Sequence, residues 1–353
     1  RAAERSEPWL ARYGGKVSSE WLLPKAWQLL EEAPDIYAQA AQIIEGADWL
    51  VWQLTGVLAR NACAAGYKGL WHKVEGEPSA DFLASLDSEL ANLYREKVAA
   101  PVVAPGTPVG GLTPEWAERL GLRPGIPVAA SIIDAHAAAI GGGVTNPGSM
   151  FMIMGTSLCH LLLAEREMPI EGIAGVVEDG IVPGFHAYEA GQAGAGDMLA
   201  WFVANGVPPA YHREAEQRGI SLHENLTERA SLLRPGEDGL LALDWWNGNR
   251  STLVDAELSG LLVGATLTTK PEEIYRALIE AMAFGTRVIM AAFVDAGLAV
   301  DTIVAGGGLT KNPLLMQIFA DVTGREIRST ASGQASALGA AILGALAAGP
   351  EKS

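Results

Sequence analysis

The sequence predicts an α/β protein with a mixed β-sheet in its second part. Short apolar runs typical of strands come first after residue 148, and longer helical patterns follow them. Towards the C-terminus the order becomes strand, helix, strand, helix, which indicates parallel strands joined by crossover helices. The chain has 353 residues, which is long enough for two domains with ordinary cores.

The first part is predicted to be mainly helical. Apolar residues recur at helical spacing between residues 17 and 60, and this pattern ends at Gly56. Residues 100–112 are rich in Pro and Gly, so we expect a loop there. A short helix should follow, with Thr113 as its N-cap and Pro114 in its first position.

The second part contains the predicted sheet and three clear helices. The predicted strands are residues 149–154, 158–164, 181–188, 300–305 and 325–329. The predicted helices are residues 271–296, 312–323 and 335–348.

A glycine-rich segment at residues 141–148 is the best candidate for a domain boundary. It predicts a first domain over residues 1–144 and a second over residues 145–353. Such a segment also suits a hinge for domain closure.

Composition excludes several classes of function. The chain has 25 basic and 41 acidic residues, a net charge of −16, which argues against nucleic acid as a partner. No uninterrupted apolar stretch reaches membrane-spanning length and no signal peptide is visible, so we expect no membrane association. Cys63 and Cys159 are the only cysteines and form no ligand-spaced cluster, which predicts no metal site and fits the cytoplasm.

Asp134 and Gly155-Thr156 are the leading site candidates, because each follows an apolar run that reads as a strand. The Asp134 carboxylate suits a general base, although an N-cap for the next helix explains it equally well. The Gly-Thr turn suits phosphate through its N–H and hydroxyl groups, although similar turns are common. A base beside a phosphate site predicts phosphoryl transfer to a hydroxyl.

Three further segments are candidate ligand contacts. Glu189 is predicted at a strand end, where it either hydrogen-bonds a polyol or is a buried, satisfied carboxylate. Gly196 either forms a simple turn or lets a nucleotide approach the backbone. Gly307 and Gly308 precede a helix that opens at Asn312, which forms a plausible nucleotide site.

Known nucleotide and nucleophile motifs do not match. Lys311 stands where a dinucleotide fingerprint needs glycine, and neither a P-loop nor a nucleophile elbow is present. The roles of His136 and of the 245–250 loop stay open at the level of the sequence.

Taken together, these segments resemble the FGGY family of carbohydrate kinases, and within it the branch that acts on L-ribulose. Family-wide pieces are the Gly-Thr turn, the glycine cluster and Asn312-Pro313. Branch-specific pieces are Asp134-Ala135-His136-Ala137, Tyr188-Glu189-Ala190-Gly191-Gln192 and Trp245-Trp246-Asn247-Gly248-Asn249-Arg250. The remaining matching segments are residues 13–25, 46–49, 60–68, 274–280 and 312–317.

The resemblance implies two actin-like (ribonuclease H-like) ATPase domains with substrates in the cleft between them. It implies ATP-dependent phosphorylation of L-ribulose in arabinose catabolism, with Mg²⁺ accompanying ATP, and a homodimer is compatible with it. Asp134 matches the catalytic base, and Lys68 and Glu189 match sugar contacts. The matching nucleotide contacts are Gly155, Thr156, Gly196, Gly307, Gly308 and Asn312.

One family motif has no match in the chain. Members of the family begin with an Asp-Phe-Gly-Thr type motif that grips phosphate, and these 353 residues do not contain it. We therefore expect a truncated first domain and a chain with little or no kinase activity alone. The alternatives are a non-catalytic sugar- or nucleotide-binding module and an FGGY kinase for another ketose or polyol.

Overall fold

The computed structural model describes residues 2–349 of the chain. The α-helices in this range are α1 Leu22–Glu32, α2 Pro34–Gln39, α3 Gly46–Thr55, α4 Ala62–Tyr67, α5 Ala80–Leu86, α6 Pro114–Leu120, α7 Asp134–Gly141, α8 Gly196–Asn205, α9 Pro209–Arg218, α10 Leu222–Ala230, α11 Pro271–Asp295, α12 Pro313–Thr323 and α13 Ala335–Ala348. The strands are β1 Arg60–Asn61, β2 Val102–Val103, β3 Pro108–Gly111, β4 Pro127–Ala129, β5 Gly148–Met154, β6 Leu158–Ala164, β7 Gly175–Glu178, β8 His186–Gln192, β9 Leu241–Leu243, β10 Leu261–Val263, β11 Val300–Gly306 and β12 Ile327–Ser329. Short 3-10 or π turns cover Pro8–Tyr13, Ser88–Leu90, Leu93–Val98 and Gly308–Lys311.

A six-stranded mixed sheet organises the second part, in the order β12-β11-β5-β6-β8-β7. Strand β11 runs parallel to both of its neighbours, β12 and β5. The other three pairs, β5–β6, β6–β8 and β8–β7, are antiparallel. The predicted α/β class with a mixed sheet is therefore correct. The parallel pairs lie where the strand–helix–strand order predicted them.

The two faces of this sheet carry separate cores. One face packs against α8, α10, α11 and α12, and its core includes Met152, Tyr188 and Ala190. The other face packs against α4, α7 and α13, and its core includes Phe151 and Ala187. Neighbouring residues of one strand thus enter opposite cores, as the period-2 geometry of a strand requires.

The first part has its own smaller core and little sheet. Tyr13, Trp21 and Leu90 are among the aromatic and aliphatic side chains that pack there. Its strands form two separate two-stranded sheets, β1–β2 and β3–β4. The expected loop at residues 100–112 therefore contains two short strands, because each finds a partner distant in the sequence that the local Pro and Gly content does not reveal.

Two predicted strands are displaced. The strand expected at 181–188 is wrong at its start, since residues 181–185 form a turn in which Gly184 has φ 90°, and β8 begins at His186. The apolar run before Asp134 is a strand only over Pro127–Ala129. Three predicted helix boundaries are confirmed. Gly56 is the C-cap of α3 in the αL conformation. The side chains of Thr113 and Asn312 cap the N-termini of α6 and α12.

Helices α7 and α13 cross at very short range. A Cβ on Gly141 would lie 2.0 Å from the carbonyl oxygen of Ala335, and one on Gly339 would lie 1.8 Å from that of Ala137. Only glycine fits at this crossing. The domain boundary placed nearby, at residues 144/145, stays a prediction, and the outermost predicted domain residues, 1 and 350–353, lie outside the described range.

Helix α11 is the one helix among residues 2–349 that is long and apolar enough to cross a membrane. Its apolar window is 56% buried inside the protein. Tyr275, Met282 and Phe293 of this helix lie in the core against the sheet. Helix α11 therefore has the burial of a core helix.

Candidate active site

Asp134 is the first residue of α7, and its carboxylate is exposed. The N-cap position belongs to Ile133, and no side chain caps the helix there. Asp134 Oδ1 accepts a hydrogen bond only from the adjacent Ala135 N–H, at 2.7 Å. The capping interpretation of Asp134 is therefore not what the structure shows, and the carboxylate is accessible to a ligand.

Glu189 lies in the middle of β8, not at a strand end as predicted. It pairs with Leu161 on one side and with Gly175 on the other. The alternation of β8 places its neighbours Tyr188 and Ala190 in the core beneath α11. The side chain of Glu189 therefore emerges on the opposite face, where α4 and α7 pack.

A cavity of about 600 Å³ opens on this face, and Lys68 and Glu189 are part of its wall. Lys68 follows the last turn of α4 and is half-buried. Asn247, Asn249 and Arg250 also line this cavity. A cation, a carboxylate and amides around one cavity provide the mixed donors and acceptors that a polyhydroxylated ligand requires.

The 245–250 loop thus contributes to the wall of the cavity, and its role towards a ligand stays a prediction. The loop is anchored at both ends of this segment. Buried Asp244 accepts a hydrogen bond from Gln192 Nε2 at 2.6 Å, and Ser251 Oγ accepts one from the Gly191 N–H at 3.2 Å. Trp246 packs on Trp201 of α8, with ring centroids 4.6 Å apart.

Cys159 marks the place where the charged groups converge. Burial raises the pKa of the Cys159 thiol well above its usual value, and the charges of Glu189, Arg250, Lys68 and Asp134 all act on it. Asp134 does not line the 600 Å³ cavity; it lines a separate groove between α7 and α13. The base candidate is therefore linked to the cavity residues only through Cys159, on which the charges of Asp134, Glu189 and Lys68 all act.

Gly155, Gly196 and Gly307 meet at the end of β5. The Gly196 N–H donates to the carbonyl of Gly155 at 3.1 Å, and a Cβ on Gly196 would lie 2.6 Å from that oxygen. Gly307 has φ 105°, and its Cβ would lie 2.5 Å from the carbonyl of Met154. Glycine is required at both positions, and the turn after β5 meets the N-terminus of α8, which favours anions.

Fewer donors are free at this turn than the sequence predicted. The Gly155 N–H donates to the Ser157 carbonyl at 3.1 Å, and the Asp197 N–H donates to the Thr156 carbonyl at 3.3 Å. The Thr156 side chain is exposed. An anion here would therefore meet the Thr156 hydroxyl and the α8 dipole rather than the N–H of Gly155.

Gly308 and Asn312 lie beside this cluster, on the segment that leads from Gly307 into α12. Asn312 Oδ1 accepts from the Leu315 N–H at 3.1 Å, and its Nδ2 donates to Thr227 Oγ1 at 2.9 Å. The amide of Asn312 is thus already used to cap α12 and to join it to α10. Gly308 is exposed with open space around it.

Two features of the site were missed from the sequence. Residues 16–21 line the cavity together with Tyr13, although only their place in the family resemblance singled them out. Cys63 and His136 lie buried below the cavity wall, where Glu189 is the neighbour of His136. No local pattern could have found this cluster, because its members come from three elements that are distant in the sequence.

Family models match nearly the whole chain. The N-terminal domain of the FGGY family of carbohydrate kinases matches residues 18–141, and its C-terminal domain matches residues 150–348. The chain belongs to the FGGY family of carbohydrate kinases. The family expected from the sequence is thereby confirmed.

The similar curated FGGY proteins include ribulokinases. One from Halalkalibacterium halodurans is 57% identical over 351 residues, which cover 99% of this chain and 62% of the relative. One from Mycolicibacterium smegmatis is 50% identical over 349 residues, covering 99% of this chain and 62% of the relative. The chain thus spans less than two thirds of the length of these relatives.

Solved structures of FGGY sugar kinases share the fold. The xylulose kinase from Rhodospirillum rubrum superposes with a TM-score of 0.81 at 26% identity, covering 99% of this chain and 67% of that one. The glycerol kinase from Plasmodium falciparum, crystallised with ADP, reaches a TM-score of 0.77 at 18% identity, covering 98% and 68%. The predicted actin-like fold class is therefore confirmed.

Proposed function

We propose that this chain carries the sugar- and nucleotide-binding surfaces of an ATP-dependent L-ribulose kinase. One observation carries the proposal: Lys68 and Glu189 line one cavity, and the exposed Asp134 carboxylate is near enough for its charge, like theirs, to act on Cys159. The glycine-lined turn at Gly155-Thr156 ends β5, the second strand from β8 in the same sheet. A polyol site and an anion site joined by a free carboxylate suit transfer of a phosphoryl group to a hydroxyl.

Each residue has a defined part in this reaction. Lys68 donates to sugar hydroxyls and Glu189 accepts from them, which fixes the orientation of the sugar. Asp134 accepts the proton of the hydroxyl that attacks the terminal phosphoryl group. Thr156 and the α8 N-terminus stabilise the charge of the transferred group.

The residues of the anion site fit a nucleotide. Gly196 and Gly307 let their segments pack against the end of β5, where a Cβ on either would lie within 2.6 Å of a carbonyl oxygen, whereas Gly308 has open space beside it that a phosphate could enter. Gly308 and Asn312 extend this surface along the start of α12. ATP bound here would supply the phosphoryl group.

Mg²⁺ is part of the proposal through ATP. Among residues 2–349 no group of three His, Cys, Asp or Glu side chains is placed to hold a metal ion. Mg²⁺ commonly binds through one or two carboxylates together with substrate phosphates, so it would arrive with the nucleotide.

The sugar, the location and the assembly are also proposed. The names of the 57% and 50% identical relatives favour L-ribulose over another ketose or polyol. We also propose that the protein acts in the cytoplasm and binds neither nucleic acid nor membranes. The net charge of −16 agrees with this proposal. A homodimer is supported by the exposed apolar side chains Leu338, Ile342 and Leu346 along α13.

The test has a binding arm and a turnover arm. Calorimetry on the 353-residue chain should detect L-ribulose, with weaker binding of D-xylulose and glycerol. ADP release is then measured on this chain and on an extended version, in which a segment carrying the Asp-Phe-Gly-Thr type motif is fused to its N-terminus, and we expect the extended version to be far more active because these 353 residues do not contain the motif. In the active form, Asp134→Asn should lower turnover by about 1,000-fold or more while ATP binding is kept, and Thr156→Ala should weaken ATP binding.

Asp301→Asn, an exposed aspartate on β11, is the matched control and should leave both quantities unchanged. Unchanged turnover in Asp134→Asn would exclude its role as the base. Binding of sugar and nucleotide without turnover in every form would instead support a non-catalytic binding module.

A further inference from the structure

His136 is buried directly beneath the proposed sugar site. It lies two residues after Asp134 on α7, which places the two side chains about 200° apart around the helix axis. Asp134 is exposed, whereas His136 is only 1% exposed and points into the protein. One helical turn thus carries the proposed base on its outer side and an imidazole on its inner side.

The imidazole contacts the carboxylate that lines the cavity. His136 Nε2 lies 3.2 Å from Glu189 Oε2, which is an ion-pair contact. Both atoms are buried and neither has a hydrogen-bond partner among the described residues, so the attraction between them is electrostatic, whereas the Glu189 side chain as a whole stays 15% exposed at the cavity wall. The contact therefore fixes one oxygen and leaves Oε1 as the oxygen that meets a ligand.

Tyr67 holds the imidazole from the other side. Its ring packs on His136 with centroids 4.5 Å apart and an interplanar angle of 42°. The Tyr67 hydroxyl donates to the carbonyl of Ala187, two residues before Glu189 on β8, at 2.5 Å. The contacts thus form a closed ring that runs from α7 to α4, from α4 to β8, and back to α7.

The charges of the pair agree with this geometry. Burial alone would lower the pKa of His136, but its neighbours Cys63 and Glu189 outweigh burial and raise it. Burial alone would raise the pKa of Glu189, but His136, Lys68 and Arg250 outweigh burial and lower it to about 2. At neutral pH, Glu189 is therefore an ionised carboxylate with acceptor oxygens only.

We propose that His136 is a positioning residue that holds the Glu189 carboxylate in one orientation for a sugar hydroxyl. A glutamate side chain has three rotatable bonds, and fixing it before the ligand arrives removes an entropic cost from binding. Because Asp134 is on the same turn of α7, His136 also fixes the base relative to this acceptor. This inference rests on the proposed function.

The test compares His136→Leu and His136→Gln with His160→Gln, a change at an equally buried histidine outside the site. Calorimetry measures L-ribulose and ADP binding to the 353-residue chain, and thermal unfolding monitors the fold. We expect His136→Leu to lose L-ribulose affinity about tenfold or more, the scale of the rotamer entropy that a freed glutamate side chain must lose on binding, with ADP affinity unchanged. His136→Gln keeps a neutral donor and should recover part of this loss.

The control and a double mutant separate positioning from stability. His160→Gln should lower the unfolding temperature without a selective loss of sugar affinity. Glu189→Gln should weaken L-ribulose binding, and adding His136→Gln to it should cost little more, because the two residues act through one contact.

Three outcomes test the positioning role of His136 and the proposed function separately. A folded His136→Leu chain with unchanged L-ribulose affinity overturns the inference, and if that variant does not fold, unchanged affinity in His136→Gln overturns it instead. A loss in Glu189→Gln without any loss in the His136 variants rejects the positioning role and leaves the proposed function intact. If neither the unmodified chain nor the extended version binds a ketose, the proposed function itself fails.

Discussion

His160 lies at the centre of the sheet and contrasts with His136. It is fully buried on β6, and its Nε2 lies 3.1 Å from Thr286 Oγ1 of α11. Thr286 in turn donates to Gln192 Oε1 at 2.7 Å, so neutral groups surround the ring. Burial lowers the pKa of His160 from 6.5 to about 4, and the carbonyl of Ala190 opposes this shift only in part.

This difference predicts a pH dependence of stability. Between pH 6.5 and about 4 the unfolded chain binds a proton at His160 that the folded chain does not, so stability should fall as the pH falls through this window. His160 should therefore lower the free energy of unfolding by about 3 kcal/mol across this window. Urea unfolding at pH 7 and pH 4 gives the fall in unfolding free energy between these pH values for the wild type and for His160→Gln. The fall should be larger in the wild type by the amount that His160 contributes. An equal fall in the two proteins would contradict the prediction.

Single residues differ in how well the sequence could place them. Three site candidates could be recognised because each follows an apolar run whose end is visible in the neighbouring sequence; they are Asp134, Gly155 and Thr156. Glu189 was assigned to a strand end because its strand begins five residues later than predicted. The Glu189–His136 contact was beyond sequence reasoning, since it depends on which face of the sheet α7 covers.

At the scale of elements, the crossing of α7 and α13 determines where the proposed base stands. Gly141 and Gly339 let the two backbones touch near the end of α7, opposite to the end that carries Asp134. Small residues at a crossing allow helices to approach more closely than the usual 8–10 Å between axes. The orientation of α7 thus depends on residues that have no chemistry of their own.

Gly339→Ala should therefore destabilise the protein. Its Cβ would lie 1.8 Å from the Ala137 carbonyl oxygen, so the helices must separate, at a cost of about 2 kcal/mol or more. The matched control is Gly344→Ala on the same helix, where nothing lies within 4 Å and the change should stabilise by about 0.5–1 kcal/mol. Denaturant unfolding measures both, and a stable Gly339→Ala would show that the crossing relaxes freely.

Elements with strong local signals were predicted well. Helices α11, α12 and α13 and strands β5 and β6 lie within one residue of their predicted positions. The missed strands have only two to four residues each; they are β1, β2, β3, β7, β9 and β10. Short strands have too few positions to establish a period.

At the scale of the whole molecule, the two parts of the chain differ in how much structure supports them. Strands β5, β6 and β8 are paired on both sides and covered on both faces. The β3–β4 pair stands alone, with its side chains half-buried or exposed. Local stability follows burial and pairing, so it should decrease from the second part to the first.

Hydrogen exchange should reveal this gradient. We expect the amides of β5, β6 and β8 to be protected about 100-fold or more beyond those of β3 and β4, after correction for intrinsic rates. Mass spectrometry of peptides from each strand measures the ratio. Equal protection in the two parts would mean that the chain unfolds as one cooperative unit.

The position of Glu189 inside β8 has a consequence for how new sugar specificities arise. Insertion or deletion of one residue in β8 would turn Glu189 towards the core beneath α11, because side chains alternate between the two faces. The 245–250 loop also lines the cavity but lies outside the strands of the sheet, so a change in its length shifts no strand register. Lineages that change their preferred sugar should therefore vary in the length and composition of this loop, while β8 keeps its residue count.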